Sequence, residues 1–468
     1  MNIRRRDLSL SLLSLVVASP SVRASGSKTT VTDSEIENTA LGDSLQTWLS
    51  KNAVAVRSID AADEDFTDLE PLINSIGSAQ VVQLGEPSHG AGSSFAAKVR
   101  LIKFLHQRMG FDVLVWESGL YDLELTQAGM RTGEDAMASA RRGIFTLWSA
   151  AEEVRPLFEY AKASQATTNP LDMAGFDMQV TADGSMERFA ADLLLFVNTL
   201  TNPGLRGPAA KLADQAVEAR KRVFSTMQSE DLKILQNASD GLLSTIRSHR
   251  ADLERVHGRR RTALIEHAIE NMRTDAENRY EAQNSPSANV QRENRRDALN
   301  ANNLRWLIQE RYAGRKIIVW AHNVHVMNAY YASDWRTLHI EPQSNDMKPT
   351  GVFLADWLKN DVYTIGMTTY QGQDRMTVVK ETTQISPAAD GSLEYRLHKL
   401  DKPYFFLDVR SARNNPKHPL RSVQSMRIPK YDINTIPDVT SAFDAIFFID
   451  QMAPATRFSQ VNHANKTD

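Results

Sequence analysis

The chain has 468 residues, 42% hydrophobic and 24% charged, with a formal net charge of −3 at pH 7. That composition is ordinary for a water-soluble globular protein, and the near balance of charge gives no electrostatic ground for nucleic acid or an anionic membrane as partner. No cysteine is present, which excludes disulfides, a thiol nucleophile and a lipoprotein anchor.

Arg4-Arg5-Arg6 is followed by an apolar run from Leu8 to Ala18, broken only by serines, and then by Val22-Arg23-Ala24. A basic head, a short apolar stretch and a small-residue cleavage site form the pattern of a signal peptide over residues 1–24. The run is too short to remain as a membrane-spanning anchor. A buried N-terminal helix is the competing reading, but the triple arginine has no structural motive there. The expectation is export to the periplasm or medium, with cleavage after Ala24 and no stable membrane anchor afterwards. Arg5-Arg6-Asp7-Leu8 admits the twin-arginine route as well as Sec.

Residues 25–35 are polar and read as loose chain. Leu45 to Val56 can form a helix with Leu45, Trp48 and Leu49 on one face. Seven short apolar runs then read as buried strands: Val81–Leu84, Val113–Trp116, Leu171–Gly175, Ile317–Trp320, Val362–Ile365, Tyr404–Leu407 and Ala445–Ile449. With helical segments between several of them, they predict a three-layer α/β/α fold around a mainly parallel sheet of about seven strands. The first crossover helix is expected from about Ser94 to Met109. Phe95, Val99, Ile102 and Phe104 or Leu105 form its apolar side, and Gly110 stops it.

Between Gly184 and Ala313 there is almost no strand signal. Leu232, Leu235, Leu242, Ile246 and Leu253 recur at helical spacings among many charges, which predicts an all-helical insertion over 184–313, standing over the carboxyl edge of the sheet. The α/β core is then split into residues 25–183 and 314–468. Arg259-Arg260-Arg261 reads as a solvated helix face, and Ala282 to Val290 as a loop between helices.

The candidate chemistry sits at strand ends. Gly85-Glu86-Pro87-Ser88-His89-Gly90 follows the first strand, Glu117 the second, Asp177 and Gln179 the third, and His322 and His325 the fourth. In a parallel sheet these positions converge on one edge. There is no Gly-x-Ser-x-Gly elbow and no His-Glu-x-x-His motif, and Ser88 beside His89 is a weak nucleophile candidate because adjacent turn residues point apart. A histidine with carboxylates nearby suits water activation: the imidazole takes a proton and a carboxylate orients the ring. His322, His325 and backbone amides are candidates for stabilising an oxyanion. The competing structural reading makes His89 a loop histidine that satisfies a carbonyl, and His322 and His325 packing residues.

Several of these stretches resemble the erythromycin esterase family. The resemblance runs through Gly-Glu-Pro-Ser-His-Gly at 85–90, Gly110-Phe111, Trp116-Glu117-Ser118-Gly119, Gly175-Phe176-Asp177-Met178-Gln179 and Trp320-Ala321-His322-Asn323-Val324-His325. It continues through Ile365-Gly366, Tyr404 to Asp408 and Phe443-Asp444-Ala445-Ile446. It implies that His89 is the essential catalytic residue, with Glu86 and Glu117 beside it, and that His322, His325, Lys98 and Arg296 bind substrate or stabilise the transition state. Two positions depart from the family pattern. Lys98 stands where an arginine is usual, which keeps the charge and loses bidentate hydrogen bonding, and Asn300 stands where a methionine usually follows the Arg296-Asp297 pair.

The implied activity is hydrolysis of a small-molecule ester or lactone by water activated at the histidine, without a covalent intermediate and without a cofactor. The family's best-known substrates are 14-membered macrolides, whose lactone is opened, and that chemistry confers antibiotic resistance. Two alternatives stay open. Glu86, His89, Glu117, His322 and His325 offer enough oxygen and nitrogen ligands for a divalent metal such as Zn²⁺. The departures at Lys98 and Asn300 also admit a non-catalytic periplasmic ligand-binding protein. The sequence does not fix an oligomeric state.

Overall fold

The computed structural model describes residues 33–180, 185–226, 228–285, 289–329, 347–423, 425–427, 433–435 and 439–458. The expected signal peptide lies outside these residues. The strands in chain order are β1 (Val54–Ala55), β2 (Val81–Leu84), β3 (Phe111–Gly119), β4 (Asp172–Asp177), β5 (Lys316–Trp320), β6 (Val362–Asp374), β7 (Thr383–Ile385), β8 (Tyr404–Asp408), β9 (Ser425–Arg427), β10 (Ile433–Thr435) and β11 (Ala445–Met452). Nine of them form one sheet in the order β1-β8-β11-β6-β2-β5-β3-β4, with β7 on the far end of β6, while β9 and β10 pair separately. From β11 through β4 every neighbour is parallel. β8, β1 and β7 pair antiparallel.

All seven expected strands are present, in a mixed α/β architecture whose sheet is mainly parallel. The two extra members are two and three residues long, too short to show periodicity, and exist through pairing with β8 and β6. β6 runs for 13 residues rather than four, because its Thr- and Gln-containing continuation is held by β11 on one side and β7 on the other.

Each central strand buries both faces, so alternate residues serve opposite cores. In β2, Val82 and Leu84 join one apolar cluster with Phe95, Ile102 and Leu105, while Val81 joins the other with Leu304, Leu307 and Ile308. The helix Gly92–Met109 covers the first face and ends at Gly110, whose φ of 72° is the left-handed cap geometry that a side chain resists. Its Phe95 and Ile102 are fully buried, a gain on the order of 1.5–3 kcal/mol each.

From Ser185 to Trp306 the described chain forms six helices, Ser185–Val197, Pro203–Thr226, Ser229–Ser248, Arg250–His257, Arg259–Asn284 and Asn289–Trp306. The first five share an apolar cluster that includes Leu235, Leu242, Ile246 and Leu253, four of the five residues whose spacing indicated helix, while Asn289–Trp306 packs Ala301, Leu304 and Trp306 into the core on one face of the sheet. The expected loop at 282–290 is shorter than drawn, since helix extends to Asn284 and resumes at Asn289. Arg259 is paired to Glu310 and Arg261 to Asp192, so the arginine run is partly tied down.

Candidate active site

Four strand ends that carry candidate residues are immediate neighbours, in the spatial order β2, β5, β3, β4. β5 is inserted between β2 and β3, so His322 stands between Glu86 and Glu117. The turn after β2 must have glycine at 85, where a Cβ would lie 2.2 Å from Asn323 Oδ1. Asn323 occupies that space to join three strands. Its backbone N donates to Glu86 O at 2.8 Å, and its side chain pairs with both backbone groups of Met367.

Glu86 is fully buried and surrounded by donors. Oε1 accepts from Trp148 Nε1 at 3.0 Å and lies 2.9 Å from His89 Nδ1, while Oε2 accepts from Lys98 Nζ at 2.6 Å. A carboxylate can only accept, so His89 Nδ1 carries the proton and, in the neutral ring, Nε2 carries the lone pair. Among the described residues nothing hydrogen-bonds to Nε2, and the His89 side chain is 19% exposed. The ring is held on two sides, by Trp148 at 5.2 Å and His322 at 5.1 Å between centroids.

Lys98 is also fully buried. Its ammonium donates to Glu86 and to Ala321 O at 3.0 Å, and sits 4.4 Å from the Trp320 ring centroid. Burial lowers its pKa to about 8 against the attraction of Glu86. Lys98 thus braces Glu86, and its side chain has no exposed surface.

The second half of the site is an ionic network. Glu117 Oε2 accepts from the backbone N of His322 at 2.8 Å, and Oε1 from Arg296 Nη2 at 3.0 Å. The same Arg296 nitrogen donates to Asp177 Oδ2 at 2.5 Å, and Gln179, with its amide oxygen turned inward, accepts from Arg296 Nε at 3.1 Å. His325 Nδ1 lies 2.9 Å from Asp297 Oδ1, which Thr350 also reaches through Oγ1 at 2.6 Å. His325 Nε2 faces Glu117 Oε1 and Arg296 Nη1, each at 3.3 Å.

The charges follow from that geometry. Burial opposes the ionised form of Glu117, but His325, His89 and Arg296 outweigh it and hold the carboxyl at about 2. Burial likewise opposes the His325 imidazolium, yet Asp297 and Glu117 raise it to about 9. Arg296 stays charged, because Asp177 and Glu117 more than offset its burial.

His322 is different. Burial and the neighbouring His89 push its pKa well down, and both ring nitrogens serve backbone: Nε2 donates to Pro87 O at 3.0 Å and Nδ1 accepts from Val324 N at 3.2 Å. It is a neutral strut between the β2 turn and the short helix Asn323–Val326. Both ring nitrogens being engaged, His322 offers no free donor to an oxyanion, one of the roles for which it is a candidate in the sequence. Ser88 Oγ accepts from Gly90 N at 3.2 Å, and Asn300 Oδ1 accepts from Met178 N at 2.9 Å, so Asn300 braces the end of β4.

The structure thus brings Glu86, His89, Glu117, His322, His325, Lys98 and Arg296 into one contiguous site. Trp148 and Thr350 belong to it with no local signal in the sequence. Asp297 is visible there only as the partner of Arg296 in a family motif. Among the described residues no three His, Asp or Glu side chains are arranged to share a metal ion.

Fold and site together define an α/β protein with a partly exposed imidazole oriented by a buried carboxylate at the carboxyl edge of a parallel sheet, an arrangement chemically able to activate water. The sequence model of the erythromycin esterase family matches residues 106–452, and the chain belongs to that family of hydrolases. A relative that carries a hydrolase's name, YbfO of Bacillus subtilis strain 168, is 28% identical over 386 residues, covering 78% of this chain and 82% of YbfO. A solved structure of a Bacillus cereus protein superimposes with a TM-score of 0.72 at 20% identity, covering 89% of this chain and 99% of that one. A histidine-to-asparagine mutant of erythromycin esterase EreC in its open conformation gives a TM-score of 0.65 at 16% identity, covering 86% and 98%. The Glu86–His89 turn lies upstream of the family-model match.

Proposed function

We propose that the protein hydrolyses a carboxylic ester or lactone of a small molecule, using water activated by His89. The supporting observation is the asymmetry of that ring, with Nδ1 bound to buried Glu86 and Nε2 free of partners among the described residues. Water gives a proton to Nε2, and the resulting hydroxide adds to the acyl carbon. On collapse of the tetrahedral intermediate the proton passes to the leaving alkoxide, yielding acid and alcohol. Support for charge stabilisation in this step comes from the positive pair Arg296 and His325, which are tied to protein groups and act through their field, linked by Glu117 to the backbone N of His322 beside His89. A macrolide-type lactone fits this reading as one substrate, with its ring opened.

The test is a panel of lactones and simple esters presented to purified protein, with and without chelator. Hydrolysis of at least one, unaffected by chelator, is expected; hydrolysis of none would remove the reading. Because His325 titrates at about 9, kcat should fall as pH rises through that value and the imidazolium is lost. The sign is the same for stability: a histidine raised above its ordinary 6.5 stabilises the fold fully below that value and ceases to do so above about 9. A flat kcat from pH 7 to 10 would exclude His325 from the reaction.

The Arg4 to Ala24 segment supports action outside the cytoplasm. Protein recovered from its native host should begin at or near Ser25. An intact Met1 on a cytoplasmic pool would remove export from the proposal.

A further inference from the structure

Among the described residues four tryptophans are buried, and three of them, Trp116, Trp306 and Trp320, leave their indole N–H without a hydrogen-bond partner. Trp148 does not. Its Nε1 donates to Glu86 Oε1, the same oxygen that meets His89 Nδ1, and its ring stands edge-on to the His89 ring at 89°. A tryptophan placed for packing alone needs neither contact. Its packing neighbours, Trp116 at 6.1 Å and Trp320 at 6.4 Å, would be kept by any large aromatic ring.

Trp148 belongs to a single helical turn, Thr146–Ser149, which cannot hold itself in place. The segment that follows β11, Ala453 to Phe458, does so. Ala455 N donates to Gly90 O at 2.8 Å, Glu152 N to Thr456 O at 2.9 Å and Phe458 N to Ala150 O at 2.8 Å. Arg457 Nη1 donates to Thr377 O, and Thr377 Oγ1 reaches Leu147 O at 3.1 Å. One six-residue strap thus fixes both the turn that carries His89 and the segment that carries Trp148.

We propose that Trp148, set in place by this strap, is a positioning residue that orients the Glu86 carboxylate towards His89. The inference rests on His89 as the base. The charged and titratable groups around His89 are Glu86 and, through it, Lys98; Glu117; neutral His322; then Arg296 and His325; and Asp374 and Arg375 beside Gly90. Of the donors to Glu86, only Trp148 can be removed without changing the charge of this set. Loss of its N–H leaves more negative charge on Oε1 to stabilise the imidazolium, so His89 protonates at higher pH. The carboxylate stays in contact with Nδ1 but is fixed by one donor fewer, so the base is aimed less well.

Trp148→Phe is the experiment, read on any ester the parent hydrolyses. Expected are a fall in kcat on the order of 10-fold, KM within about 2-fold, and the acid limb of kcat moved up by about half to one pH unit. Benzothienylalanine at 148 keeps the bicyclic shape and lacks the N–H, and should give the same result if the phenylalanine variant does not fold. An unmoved acid limb, with or without a fall in kcat, overturns the proposal, because lost packing alone would not shift it. His89→Ala separates the two readings. Wild-type turnover in that variant would overturn both, whereas an inactive His89→Ala with an unmoved acid limb in Trp148→Phe overturns only this one.

Discussion

His89→Ala is expected to lower hydrolysis on the order of 10²–10⁴-fold, the usual range for loss of a general base, while the protein remains folded and binds ligand. The argument is local. His89 lies in a turn, with 19% of its side chain exposed, so its removal opens little enclosed volume. The Glu86 carboxylate that loses it keeps two donors, Lys98 and Trp148. Glu86 is thus not stranded as an unpaired buried charge, which is what makes many site substitutions unfold a protein. Turnover near the parent's on any substrate the parent hydrolyses would remove His89 from the mechanism. A protein that no longer folds would show that the ring is a structural clasp between Trp148 and His322.

Arg296→Met should have the largest effect on stability. Asp177 and Glu117 have almost no exposure and share this one guanidinium. Taking away one partner of a buried ion network costs about 3–5 kcal/mol, far more than the network contributes over an apolar replacement. The loss should appear in the midpoint of denaturant unfolding, and adding Asp177→Asn should recover part of it by removing one of the stranded charges. Acid unfolding should also begin at higher pH. A carboxyl held at about 2 stabilises the fold above its ordinary value near 4.5 and loses that contribution as pH falls towards 2. Without Arg296 that window narrows. An unchanged unfolding midpoint would mean that both carboxylates are solvated and draw no stability from Arg296.

Much of the scaffold was legible in the sequence. The seven apolar runs are strands because a strand buried on both faces has to be continuously apolar, and Gly110 ends its helix because the cap needs a left-handed residue. Glu86, His89, Glu117 and the His322–His325 pair stood out because polar groups at the ends of buried runs are costly unless they are used. Lys98 entered through the family resemblance alone, and its burial had no sequence signal. The helix Gly92–Met109 is buried on nearly every side from Gly92 to His106, so periodicity could not tell an inward lysine from an outward one.

The sequence by itself determined the local states: which segments are strand or helix, where turns must have glycine, and which strand ends carry titratable groups. Only the tertiary structure decided who meets whom. Strand order placed β5 between β2 and β3, although more than 130 residues separate Asp177 from His322 along the chain in which β2, β3 and β4 come first. That order, and not spacing in the chain, puts the backbone N of His322 on Glu117 and spends its ring on Pro87. Trp148 reaches Glu86 across 62 residues, and Arg296 reaches Glu117 across 179. Local propensity is set by a few neighbouring residues, whereas partner choice is set by how the buried faces of the whole chain pack, and no periodicity encodes that.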